Sequence, residues 1–148
     1  MQGDFSRFSN LDLRRMKYLT LILLLTMIGC KESNLQKKLK RADSITVHFY
    51  LNAHSDSVIK IMHTNNKDAI SKLASYIDDK EINAPNCGRD GAIFFKEKDT
   101  VIDTVGFNVL QKGCRQFFFI ENGKERVTQV SNEAADFLTA MWSGKTYY

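Results

Sequence analysis

Proline is all but missing from this chain: Pro85 is the only one in 148 residues, and no repeat or low-complexity stretch stands in for a linker. Length then points to one domain. Long apolar runs are missing too. The charge-free segment that precedes Cys30, Tyr18 to Gly29, has only twelve residues. As a helix it would reach about 18 Å, well short of the roughly 30 Å hydrocarbon core, which makes it a poor permanent membrane span. Three histidines and three cysteines are too few and too scattered for a metal site, and no His or second Cys lies at ligand spacing from any Cys. A basic domain surface is also lacking. The pI of about 9.0 comes from residues 1–41, which hold nine Lys and Arg against three acids. Residues 42–148 keep 12 of the 21 bases and 14 of the 17 acids, a slightly acidic balance that removes the case for a nucleic-acid partner.

What the N-terminus does have is a sequence of parts. Arg14, Arg15 and Lys17 precede the apolar run, and Gly29 and Cys30 close it, the layout of a secretory signal with its start at Met1 or at Met16. Met27-Ile28-Gly29-Cys30 resembles the lipobox of bacterial lipoproteins, with Met27 where that family usually has Leu. The resemblance implies removal of residues 1–29, acylation of Cys30, and a place in the bacterial cell envelope on a membrane facing the periplasm or the cell surface. With Cys30 given to lipid, Cys87 and Cys114 remain as a pair, and an oxidising compartment favours a disulfide between them. The segment around Cys87, the Ile93-Phe94-Phe95 strand and a second Cys before an aromatic strand are similar to small uncharacterised envelope lipoproteins of Gram-negative bacteria. That likeness brings no functional residues with it.

Residues 30–43 read as a charged tether whose leucines, Leu35 and Leu39, allow a short helix and whose basic residues could meet anionic lipid. A single globular domain is expected over 44–144, with 145–148 as a tail. Ile45, Val47, Phe49 and Leu51 alternate with polar residues, and Ile59 and Ile61 continue an apolar face on a return strand. Placing both sets on one face pairs Val47 with Ile61 and Phe49 with Ile59, around a loop at Ala53-His54-Ser55. Residues 64–79 read as a helix capped by Thr64 or Asn65, and strands are expected at 92–97, 100–109, 115–121 and 124–130. Asn122-Gly123 is the strongest hairpin turn. Ser131 caps a last helix that stops at Gly144. The order ββαββββα predicts an α+β fold: a mostly antiparallel sheet of about six strands with two helices on one face.

Chemistry-bearing constellations are thin. His54-Ser55-Asp56 has triad residue types, but adjacent side chains in a turn diverge. In the register above His48 and His63 fall on opposite faces, which argues against a shared ion. Asp103 is either a buried acid with functional potential or an edge residue in water. Cys87-Gly88-Arg89-Asp90-Gly91 lacks the strand-to-helix setting and the Lys-Ser/Thr of a phosphate loop. No cofactor or metal is implied. Surplus aromatics are the positive signal: Tyr50, Phe94, Phe118, Trp142, Tyr147 and Tyr148 exceed what a core of this size can bury, and surface aromatics anchor protein contacts. The expected function is therefore a membrane-anchored envelope module that binds a protein partner and is not an enzyme. The alternatives are a carrier of an apolar small ligand and an unrecognised enzyme.

Overall fold

Two tight turns set the sheet. Lys98 and Asp99 have φ of 50° and 64°, and Asn122 and Gly123 have φ of 53° and 75°. Positive φ at both central residues is the two-residue hairpin geometry whose twist matches the flanking strands. Asn and Gly adopt it readily; at Lys98 the backbone N–H donates to the Asp43 carboxylate at 2.7 Å, which pins the turn. The computed structural model describes residues 32–83, 85, 87–111 and 113–145.

The described elements are α1 (Asn34–Lys40), β1 (Ser44–Tyr50), β2 (Val58–Thr64), α2 (Lys67–Tyr76), β3 (Gly91–Glu97), β4 (Thr100–Asn108), β5 (Gln116–Glu121), β6 (Lys124–Gln129) and α3 (Asn132–Ser143). One six-stranded sheet runs β2-β1-β3-β4-β5-β6, with every pair antiparallel. The fold is α+β as expected, with three described helices rather than two. All three pack on one face, because their buried residues (Leu35, Leu39, Ile70, Leu73, Leu138) join one cluster with Ile45, Val47, Ile93, Phe95, Phe107, Phe117 and Phe119.

α1 corrects the tether. Ser33 and Gln36 form a capping box, and Leu35 and Leu39 are buried, so residues 33–40 belong to the domain. Two of its three lysines and the Arg41 that follows it are engaged internally: Lys38 pairs with Asp103 at 2.7 Å, Lys40 with Glu32 at 2.5 Å, and Arg41 with Glu97 at 2.8 Å.

The β1–β2 register also differs from expectation. Val47 faces Met62, His48 faces Ile61 and Phe49 faces Lys60, with a bulge at Phe49/Tyr50. Ile61 consequently lies on the outer face, 58% exposed. Lys60 turns to the helix side because α3 receives it there. Its ammonium bonds the Trp142 carbonyl at the C-terminus of α3 and lies 5.4 Å from the Trp142 ring centroid. α3 has no basic residue in its own last turn, so Lys60 supplies the cation that its dipole favours. In α2 the cap is Asn66, whose side chain accepts from the N–H groups of Asp68 and Ala69, and the helix ends at Tyr76. Ser131 and Gly144 close α3 as expected, Gly144 with φ of 72°.

Candidate functional site

The segment before β3 builds one end of the sheet. Gly88 lies so close to the Ala53 carbonyl that a Cβ would come within 1.8 Å of it. The Arg89 N–H donates to the same carbonyl at 2.8 Å, which locks this segment to the β1–β2 loop. Buried Asp90 accepts from the N–H groups of Val109 and Leu110 at 2.7 and 2.8 Å. Asn108 donates to the Gly88 carbonyl at 2.8 Å. Cys87 and Cys114 form a disulfide, which ties the same segment to the β4–β5 connection. A crosslink closing a loop of this length constrains the unfolded chain by about 3–4 kcal/mol.

These bonds present an apolar cleft of about 130 Å³ between the end of the sheet and the C-terminus of α3. Phe49, Phe107 and Leu138 are buried in its floor. Around them stand Leu51, Ile59, Leu110 and Trp142, which are 62%, 49%, 72% and 40% exposed. The Trp142 ring is held edge-on against Phe49, with centroids 5.2 Å apart. Among the residues lining the cleft only Asp90 belongs to the Asp, Glu, Lys and Arg set, and its carboxylate is taken up by two backbone N–H groups.

The predicted aromatic set does not form one patch. Trp142 and half-buried Tyr50 line the cleft. Phe94 is half-buried on the outer face against the His48 ring, 4.7 Å between centroids. Phe118 is buried, although it points away from the helices: the Arg89 guanidinium lies 5.3 Å from its ring centroid and pairs with Glu125. Gly106 makes room for that arginine, since a Cβ there would sit 3.0 Å from the Arg89 side chain. Cys30, Tyr147 and Tyr148 lie outside the described residues. Sequence reasoning missed Leu51, Ile59 and Leu110. The sequence pattern set Leu51 and Ile59 on the apolar faces of strands, and the available signal was Leu110 beside Gln111 and Lys112 in the connection after β4.

The remaining candidates resolve separately. Asp103 is on the helix side of β4, about 10% exposed and paired with Lys38, so it is neither a bare edge acid nor an unpaired buried one. His48 and His63 share the outer face after all, since Thr46 faces His63 and His48 faces Ile61. The His63 Nδ1 lies 3.4 Å from the Thr46 hydroxyl. Among the described residues no His, Cys, Asp and Glu groups are arranged to hold a metal ion. His54, Ser55 and Asp56 sit in the hairpin loop, where the Ser55 hydroxyl accepts from the Ser57 N–H at 3.0 Å. A polar hollow of about 310 Å³ lies beside them, lined by Tyr50, Arg89 and Glu125 among others. A groove of about 480 Å³ between α2 and α3 is lined by Lys72, Tyr76, Glu133, Asp136 and Lys145. No described helix is long and apolar enough to cross a membrane. Comparison with protein families, with curated proteins and with solved structures finds no match.

Proposed function

We propose that this chain is a lipoprotein of the bacterial envelope, acylated at Cys30, whose domain binds a protein partner through the cleft at Trp142. The observation that carries the binding reading is the rim: four large apolar side chains stand exposed around the cleft, on a strand, a helix end and two loops, and the Asp90 carboxylate and the disulfide hold the loop that carries Leu110. Apolar side chains preorganised around a small pocket bind with little ordering cost, and an aromatic anchor such as Trp142 is the usual centre of such a contact. The carrier reading draws less support, because the apolar cleft, at about 130 Å³, falls below the roughly 300–1,000 Å³ of small-molecule sites, and the two larger hollows are lined by charged side chains.

Crosslinking and pulldown of the lipidated protein from cells test the reading. Leu51→Ser, Leu110→Ser and Trp142→Ala combined should abolish capture while the melting transition stays cooperative. Capture that survives the triple variant overturns the cleft as the binding surface. For the anchor, metabolic labelling with a fatty acid should mark the wild type and not Cys30→Ala. A labelled Cys30→Ala protein defeats the lipoprotein reading.

A further inference from the structure

The two edges of the sheet are treated differently. Outside β6, Glu81 bridges to Thr128 and the Ile82 N–H donates to the Val127 carbonyl at 2.9 Å, so that edge is covered at Val127 and Thr128. Among the described residues β2 pairs only with β1, which leaves the other side of its backbone as a template for one more strand. Folded proteins usually blunt such an edge with outward charges, proline or bulges. β2 has no proline, and its bulge is confined to the Val58 end. Lys60, its only Lys, Arg, Asp or Glu, is folded onto the end of α3. Ile61 remains on the outer face, 58% exposed.

We propose that β2 pairs antiparallel with β2 of a second copy of this chain, about a two-fold axis at Ile61. Ile61 is the midpoint of Val58–Thr64, so every residue of the strand finds an opposite: Val58 meets Thr64, Ile59 meets His63, Lys60 meets Met62, and Ile61 meets itself. The charge pattern fits this self-pairing, because Lys60 faces Met62 and like charges never meet across the axis. Ile61 gains an apolar neighbour on the outer face, where the monomer offers it His48 and water. The contact is isologous and therefore closes: both β2 edges are consumed, and part of each β6 edge is already taken by residues 81 and 82. The pairing rests on Ile61, which lies outside the rim, and shares only Ile59 with the cleft.

Disulfide trapping in intact cells expressing the full chain tests it. Residues facing across an antiparallel axis have Cα atoms close enough for a disulfide. Ile61→Cys should yield a cross-linked dimer under mild oxidation, whereas Val101→Cys and Ile120→Cys, on β4 and β5 and comparably exposed, should not. Ile61→Lys should remove the dimer seen by chemical crosslinking of the otherwise unaltered chain, and Ile120→Lys should keep it. Cross-linking of Ile61→Cys no greater than at the two control positions overturns the proposal. So does a dimer that persists in Ile61→Lys, or an Ile61→Cys adduct formed only with a different protein.

Discussion

Gly91 has no room for a methyl group. A Cβ there would lie 2.2 Å from the His48 carbonyl oxygen and 2.5 Å from the buried Phe107 ring, and neither neighbour is the loose end of a side chain. Gly91→Ala should therefore destabilise by about 1–3 kcal/mol, seen as a lower urea midpoint at unchanged slope. The sequence showed Cys87-Gly88-Arg89-Asp90-Gly91 as a turn, but not that each glycine is there for a backbone approach from elsewhere in the fold. Such approaches join residues far apart in the chain and leave no local pattern. Charge behaves likewise at Asp43. The Lys98 N–H bond holds its carboxyl below the usual carboxylate range, with further help from the Ser44 hydroxyl and Lys67. A pKa depressed in the folded state gives stability that is present above the unfolded carboxylate range and is lost as pH falls through the folded value. Asp43→Asn should thus flatten the acid limb of the curve of urea midpoint against pH and weaken the dependence below the carboxylate range. A variant curve parallel to the wild type there would show that the bond to Lys98 carries no linkage.

At the scale of elements, periodicity located the strands well, because β3 to β6 are bounded by turns whose residue types announce themselves. It failed where tertiary contacts decide. Ile59 and Ile61 have core-like spacing, but the bulge at Phe49/Tyr50 takes up one residue and the end of α3 draws Lys60 inward. The lysine so displaces the isoleucines, and a slip of one residue moves a strand's whole apolar set to the other face. α1 was hidden for a different reason. Two apolar positions in a run of charges are too few to show a period, although Ser33 and Gln36 do spell a capping box. Its leucines decide whether it is tether or domain. Leu39 is fully buried, so Leu39→Ala should cost about 2–5 kcal/mol by thermal or urea unfolding, whereas a solvated spacer would lose nothing. Leu39→Ala with wild-type stability would return residues 33–40 to a linker.

For the molecule as a whole, the α+β class and the disulfide were legible, while the cleft was not, because its rim comes from β2, two loops and a helix end that only the fold brings together. The same folding changes how the protein can meet a membrane. Residues 31–41 carry five bases, Lys31, Lys37, Lys38, Lys40 and Arg41, and as an open tether each would gain about 1 kcal/mol near an anionic leaflet. In the folded domain Lys38, Lys40 and Arg41 lie against Asp103, Glu32 and Glu97. Each carboxylate stands far inside the roughly 8 Å screening length from its base, so a lipid surface meets a nearly neutral group whether or not the bond persists. Of the bases of α1 itself, Lys37 is the one outside these ion pairs. Residues 31–148 without the acyl group should therefore sediment weakly with vesicles rich in anionic lipid. Replacing the acids while keeping the bases, as Glu97→Gln with Asp103→Asn, releases two positive charges worth about 1 kcal/mol each, and binding should strengthen by roughly thirtyfold. The gain should vanish at high salt. Strong vesicle binding by the unmodified domain, or no gain in the double variant, would mean that the basic segment meets the membrane unpaired and that α1 does not keep these contacts at a surface.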